Sequence, residues 1–461
     1  MSNANPSPQP IKFYKSHEKV YPRETKGYFQ NLRNITLLLL LGIYYITPWI
    51  TWNGRQAILF DLPARKFHIF GLTMWPQDFF FLTLLLIMAG LSLFFFTALA
   101  GRLWCGYACP QTVWTDAFIW MERLVEGSRA KQIKLTKSPW TPEKIRKRVL
   151  KQFLWVTFAL WTGFTFVGYF SPIKELAVEL WTFEASAWQV FWVLFYSFAT
   201  YGNAGFLREQ VCQYMCPYAR FQSAMFDKDT LIIAYDEKRG EPRMKGKKRN
   251  ENENKAGDCI DCGLCVQVCP TGIDIRNGLQ YECIACAACI DVCNEVMDSV
   301  GKPRNLVQYT TESNTEGRKT NFLRPRILIY AGLLGVLAIG FLIALFMRST
   351  VQMDIIRDRN ALYKVVSGNL VENTYTLKVM NKGNLDQRYQ LVVEGLPDAK
   401  IKVLNDRVIA AGEIANVTAQ VTVPKDKLVA MSQTVHLKLS ELEGDSRDTI
   451  VEETRFFGPG K

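Results

Sequence analysis

The sequence predicts a multidomain membrane protein in three parts. These are an α-helical transmembrane bundle of five spans, an inserted bacterial-type two-cluster ferredoxin domain, and a C-terminal all-β immunoglobulin-like sandwich. Three observations predict it: five long apolar blocks, two tandem cysteine runs between the fourth and fifth blocks, and a tail at 351–461 that alternates apolar and polar residues.

The apolar blocks come first. The chain has 461 residues, 49% of them hydrophobic and 13% aromatic, and the hydrophobic ones are concentrated. They fill Ile35 to Trp52, about Pro76 to Ala100, about Phe153 to Phe170, Trp188 to Leu207 and Ile327 to Met347. A helix needs ~20 apolar residues to cross a bilayer, and Trp and Tyr at the block ends suit its interfaces. The first block begins too far into the chain, and lacks the small-residue site, for a cleaved signal peptide. Lys and Arg set the orientation. Residues 1–34 hold Lys12, Lys15, Lys19, Arg23, Lys26 and Arg33, and the 101–151 loop includes Lys144, Arg146, Lys147, Arg148 and Lys151. The 53–75 loop has only Arg55, Arg65 and Lys66, and 171–187 only Lys174. This places the amino terminus inside, in a bacterial inner membrane, with the carboxyl terminus in the periplasm.

The expected parts follow. Residues 1–34 form a loosely ordered cytoplasmic arm. Residues 35–207 form a four-helix membrane region with C-x3-C-P motifs at 105–110 and 212–217. Residues 208–325 form a cytoplasmic insert, with a solvated linker at Lys238 to Lys255 and the clusters at about 255–300. A fifth helix at 327–347 leads to a periplasmic domain at 351–461. The net charge of +12 is placed largely in juxtamembrane loops that meet anionic lipid, so no nucleic-acid partner is expected.

Cys259, Cys262, Cys265 and Cys269 read C-x2-C-x2-C-x3-C-P, and Cys283, Cys286, Cys289 and Cys293 repeat the spacing with Asn294 in place of proline. Three close thiolates wrap one corner of a cubane while the fourth crosses to its neighbour. The predicted ligand sets are therefore Cys259, Cys262, Cys265 and Cys293 for one [4Fe–4S] cluster and Cys283, Cys286, Cys289 and Cys269 for the other. Structural zinc wants four tetrahedral ligands, which two tandem four-cysteine runs do not suit. A disulfide framework is out of place in a reducing compartment.

The remaining cysteines form Cys105-Gly-Tyr-Ala-Cys109-Pro110 and Cys212-Gln-Tyr-Met-Cys216-Pro217. Each follows an apolar block at its cytoplasmic end, and each carries a downstream glutamine, Gln111 and Gln222. A spacing of four puts both thiols on one helical face if the helix continues, although the prolines bias Cys109 and Cys216 away from helix. Four thiols at one membrane depth form a soft-metal or redox site, and thiolates favour Cu(I) or iron–sulfur clusters. Copper is thus a candidate metal, a third cluster or a reversible disulfide are the alternatives, and Met215 could add a thioether. The histidines are few: His17, His68 and His436. They leave no bis-histidine haem within the bundle. Met347 and Met353, at the outer end of the fifth helix, are read as ordinary packing ahead of a copper role.

The order of these features resembles the CcoG/FixG family of cytochrome c oxidase accessory proteins. They run C-G-Y-A-C-P-Q, C-Q-Y-M-C-P-Y-A-R-F-Q, the paired ferredoxin run, a fifth helix and a β tail. The resemblance implies a cupric reductase that supplies Cu(I) during maturation of a cbb-type oxidase. Cys105, Cys109, Cys212 and Cys216 would carry the chemistry, with oxidase subunits or copper-handling assembly factors as partners and the electron donor unidentified. Two rivals stand beside it. One is a quinol-oxidising conduit to a respiratory partner. The other is a non-enzymatic scaffold whose tail docks an oxidase subunit.

Overall fold

The computed structural model describes residues 19–245, 256–358, 361–383, 385–442 and 449–459. Two compact units emerge: Met1–Ile50 with Leu86–Val336, and Thr51–Leu85 with Leu337–Lys461.

The first unit is mainly helical. In chain order its helices are α1 (Tyr28–Ile46), α2 (Phe79–Ala100, shared with the second unit), α3 (Leu103–Tyr107), α4 (Pro110–Glu126), α5 (Arg129–Lys137), α6 (Pro142–Val167), α7 (Ile173–Thr182) and α8 (Ala187–Thr200). α8 runs on into π-helical turns at Tyr201–Leu207 and Val211–Met215, followed by α9 (Pro217–Met225). Thr141 caps α6 by accepting from the Lys144 N–H, and Ser186 closes a capping box with Gln189 on α8, each satisfying amide donors a helix start leaves free.

Among the described residues, two helices are long and apolar enough to cross a membrane: Pro76–Ala100 and Pro325–Phe346, with mean hydropathies of 2.5 and 2.6. The other three apolar blocks also form helices, with altered limits. α1 starts earlier, takes in Arg33 and stops before a 3-10 turn at Thr47–Trp49. α6 opens on the charged stretch that contains Lys144 and Lys151, and regular α-helix in the fourth block spans only 14 residues.

α4, α6 and the first π segment pack around Phe118, Met121, Trp155, Ala159 and Ala204. Beneath this cluster lies a buried ion network. Glu122 receives Lys19, Lys151 at 3.3 Å and Arg208 at 2.7 Å, while Glu126 faces Lys151 at 2.9 Å and Arg148 at 3.1 Å. Burial alone would raise the Glu122 pKa, but the Arg208, Lys19 and Lys151 cations outweigh it and hold the carboxyl at about 2.

The arm differs from its expectation where it is described. Residues 19–30 lie against the insert: Arg23 N donates to Gln267 O at 2.8 Å, and Asp291 accepts from the Phe29 and Gln30 amides. Gly27 is required there, since a Cβ would fall 2.3 Å from the Asp291 side chain. Residues 1–18, with His17, and 246–255, most of the expected linker, lie outside the described residues. Lys238–Gly240 end a short helix, Glu237–Gly240.

The second unit holds the tail. One sheet runs Lys400–Val403, Ile414–Pro424, Leu370–Asn381, Val351–Arg357, with Lys364–Val366 also pairing Leu370–Asn381. The other runs Tyr389–Glu394, Ser432–Glu441, Thr449–Phe457. Alternate residues point inward, so Tyr375, Leu377 and Val379 meet Val435, Leu437, Leu439 and Phe456 in one core. Met353 is part of that core and Met347 is exposed. The expected outer loop is itself folded: Ile58–Asp61, Lys66–Ile69 and Leu72–Met74 form a three-stranded sheet. Lys66 Nζ donates to Gly412 O at 2.8 Å, and Asp78 pairs with Arg348 at 2.6 Å and Lys382 at 3.2 Å, tying this sheet to the tail.

Candidate iron–sulfur and thiol centre

The two cysteine runs fold as a structural repeat. In the first, Asp261 (φ 51°) and Gly263 (φ 67°) take the left-handed conformation. In the second, Ala285 (φ 53°) and Ala287 (φ 60°) take it at the matching positions. A left-handed residue costs an alanine roughly 1–2 kcal/mol and a glycine almost nothing, so Ala285 and Ala287 mark places where the loop geometry is enforced. Helices then begin at Leu264 and Ala288. Successive amides in such loops converge into a concavity that favours anions.

This winding brings the thiols together across the repeat. One cavity is walled by Cys259, Cys262, Cys265 and Cys293, and another by Cys269, Cys283, Cys286 and Cys289, with Cys265 at its edge. Soft donors in two enclosed groups of four suit cubane clusters. Asn294 differs from Pro270 for a backbone reason. Pro270 follows a five-residue helix that has ended, whereas Asn294 lies inside the helix Ala288–Ser299, where a proline would remove a hydrogen bond and clash. The Asn294 side chain instead accepts from the Asn305 amide at 2.8 Å.

The four other cysteines lie beside the second group. Neither pair shares one continuous helix, because Pro110 and Pro217 each start a new one. Cys105 sits in α3 and Cys109 caps α4; Cys212 sits in a π turn and Cys216 caps α9. Proline is favoured at a first helical position and excludes helix from the residue before it. Cys105 has Cys109 and Cys212 as electrostatic neighbours, and Cys212 has Cys109 and Cys216. Burial and the neighbouring thiols push Cys105 up to about 12 and Cys212 up to about 11. Met215, the candidate thioether, is 59% exposed.

The two motifs hold each other. Gln111, after Cys109, donates to Asn203 O at 2.9 Å and Arg208 O at 3.1 Å, fixing the chain that enters Cys212. Gln222, after Cys216, accepts from the Cys105 thiol at 3.3 Å and donates to Thr97 at 3.4 Å. The sequence showed both glutamines as a weak duplication; their crossed roles needed the fold. Arg102 had no sequence signal. It bonds Ala219 O and faces Cys105, Cys212 and Cys283 as a cation. Both motifs also touch the ferredoxin loops. A Cβ on Gly106 would lie 2.7 Å from Ile284 O and 2.9 Å from Ala285 O, between Cys283 and Cys286, and Gln213 Nε2 donates to Thr271 O at 3.4 Å, two residues after Cys269.

Among the described residues, no three His, Cys, Asp or Glu side chains converge on a single-ion position. A lone soft ion draws thiolates to about 2.3 Å from one point.

Comparison with known proteins bears on these cysteines. A family profile described as a 4Fe-4S dicluster domain matches residues 207–312, and one described as a 4Fe-4S binding domain matches 80–127. The IG-like fold at the C-terminal of FixG matches 341–459. Nitrogen fixation protein FixG of Rhizobium meliloti is 37% identical, over 97% of this chain and 94% of that one. The chain belongs to the FixG family. Protein RdxB of Cereibacter sphaeroides is 43% identical over 87% of each chain, and Protein RdxA of the same organism 40% over 83% of each. A crystal structure of a FixG-related protein from Vibrio parahaemolyticus is 34% identical, covering 24% of this chain and 97% of that one, with a TM-score of 0.22. As a FixG-type chain with dicluster-domain cysteines, it is an iron–sulfur electron-transfer protein.

Proposed function

We propose that this FixG-type protein is a multi-pass cupric reductase of a bacterial inner membrane that supplies Cu(I) during assembly of a cbb-type cytochrome c oxidase. Cys259, Cys262, Cys265 and Cys293 would hold one [4Fe–4S] cluster, and Cys283, Cys286, Cys289 and Cys269 the other; bound there, clusters supply one-electron carriage. Cys105, Cys109, Cys212 and Cys216 receive copper. The observation that carries the reading is the contact of both C-x3-C-P motifs with the loops of the second thiol group, through Gly106 and Gln213. Cu(II) takes one electron to become Cu(I), and thiolate donors favour the softer product. Gln111, Gln222 and Arg102 hold the thiols in place around that exchange. Since the four thiols do not converge on one point, capture of a single copper ion draws them inward.

The proposed topology has five spans, with the amino terminus and ferredoxin insert cytoplasmic and the sandwich periplasmic. The grouping of residues supports it. Thr51–Leu85 belongs with the tail in one unit, as expected of segments sharing a membrane face, while the arm, the 101–151 loop, residues 171–187 and the insert belong to the other. Partners would be oxidase subunits or copper-handling assembly factors.

The test is anaerobic protein reduced with dithionite, desalted, and mixed with Cu(II) and a Cu(I)-specific chelator. Stoichiometric Cu(I) supports the reading, and unchanged Cu(II) sinks it. Iron analysis with EPR on the same sample separates the two uses of the four thiols. Roughly eight irons per chain with added copper leaves them free for copper, whereas roughly twelve assigns them a third cluster.

A further inference from the structure

The first unit contains a cavity of about 820 Å³ between the arm, α1, α4 and the ferredoxin insert. It is separate from the thiol groups, and its walls change character along α1. Near the start of that helix the lining is charged. Arg23, Lys26, Arg33 and Arg123 stand against Glu24 and Asp116, an excess of two cations. Arg33 is bonded to Asp116, while Arg123 faces Glu24 and Asp116 and donates to Pro22 O at 3.0 Å. The excess is thus Arg23 and Lys26. Both are exposed and, among the described residues, neither forms an ion pair.

One turn beyond Arg33 the lining becomes apolar, with Leu37, Leu38 and Leu41 of α1 beside Trp120 and Phe158. Leu38 is 70% exposed and Trp120 64%, so this end opens sideways onto the apolar surface that α1 continues with Ile35 and Ile43. A small soluble anion would answer the cations and leave the apolar end uncovered; an uncharged hydrocarbon would do the reverse. The pairing of the two ends calls for an amphiphile with an anionic head. The chain's own preceding segment does not supply that charge, since residues 1–18 carry Lys12 and Lys15 against Glu18 alone. Basic pockets beside membrane helices on the cytoplasmic side recognise anionic lipid headgroups.

We propose that this cavity binds an anionic phospholipid of the phosphatidylglycerol class, its phosphate at Arg23 and Lys26 and its acyl chains leaving past Leu37, Leu41 and Trp120 into the bilayer. The third wall is Val268, Pro270 and Ala288 of the insert. The lipid therefore fills the space between α1 and the insert and holds the arm there, where Arg23 N bonds Gln267 O. The proposal rests on the inner-membrane reading and is independent of copper. The test uses the full chain, purified in mild detergent and delipidated, then titrated with phosphatidylglycerol or phosphatidylcholine of equal chain length. Bound lipid is counted by native mass spectrometry. The expected result is one retained phosphatidylglycerol, bound at least about tenfold more tightly than phosphatidylcholine, with slowed amide exchange over residues 23–30. Arg23→Gln combined with Lys26→Gln should remove that preference, since each cation near an anionic lipid contributes roughly fivefold. Leu41→Trp should weaken phosphatidylglycerol binding by filling the apolar end. Equal retention of the two lipids overturns the proposal, and so does an unchanged preference in the double variant. Full displacement by inorganic phosphate also overturns it, by making this an ion site without a lipid. Alkaline carbonate extraction of the native membranes reads the membrane claim separately: release of the chain there would sink the topology, whatever lipid the purified protein retains.

Discussion

The Cys105 thiol donates to Gln222 Oε1 at 3.3 Å across 117 residues of sequence, and Gln222 is wholly buried. One C-x3-C-P motif is thus held by a residue that follows the other, and Gln111 answers in the opposite direction. Such supporting hydrogen bonds orient soft-metal ligands, and their loss typically costs 10–100-fold in metal affinity. Gln222→Leu should therefore weaken Cu(I) binding at the four thiols by at least about tenfold in a chelator competition. The iron content and EPR signals of the ferredoxin cysteines should not change. Equal loss from both sites would mean that the substitution unfolds the region.

Gly106 marks where that site meets the ferredoxin loop. An alanine there would press on Ile284 O and Ala285 O, both backbone atoms, which cannot swing aside as a side chain can. Overpacking of this kind costs roughly 1–3 kcal/mol. Gly106→Ala should lower the melting temperature and alter the EPR signal of one cluster, the one assigned to Cys269, Cys283, Cys286 and Cys289. The signal of the other should be spared. An unchanged pair of signals would remove the contact from the proposed electron route.

Much of this was legible in the sequence, and the parts that were not share a physical cause. Spacing alone gave the ferredoxin runs, because cubane geometry dictates three close thiolates and a distant fourth. Alternation of apolar and polar residues in the tail announced a β-sandwich, while strand ends such as those of Leu370–Asn381 and Ile414–Pro424 came from the fold. Contacts between distant segments gave no local signal. Residues 19–30 look like a loose polar arm until Asp291 supplies the acceptor for two of their amides. The sheet at residues 58–74 is short and sits between apolar blocks, so it read as a loop. Arg102 and Glu122 looked like ordinary charges until folding buried them.

Glu122 provides a stability test. It is 1% exposed and compensates three cations, Lys19, Lys151 and Arg208. Removing one partner of a buried ion group strands the rest, at about 3–5 kcal/mol. Glu122→Gln should destabilise the first unit by that order in urea unfolding. Arg208 has a strained backbone (φ 44°) just before the Cys212 turn, so the same variant should raise the alkylation rate of Cys212. Because the Glu122 pKa lies below that of an unfolded glutamate, its stabilisation is present above about pH 4.5 and is lost as pH falls toward 2.

His68 gives a second pH dependence, on the second unit and at milder acidity. Burial, with Arg55 and Lys66 nearby, lowers it to about 4, against a small opposing pull from Asp61. An unfolded histidine titrates near 6.5, so between those values the unfolded chain binds the extra proton. Stability is therefore full above pH 6.5 and falls as pH drops toward 4. Its ring Nδ1 lies 3.0 Å from the Thr73 hydroxyl, a contact that a neutral amide can keep. Calorimetry of the full chain should show the transition of the second unit dropping by at least ~2 °C between pH 7 and pH 5. His68→Gln should flatten that slope while leaving the pH 7 value close to the parent's. A variant that keeps the parent slope would assign the acid sensitivity to another group.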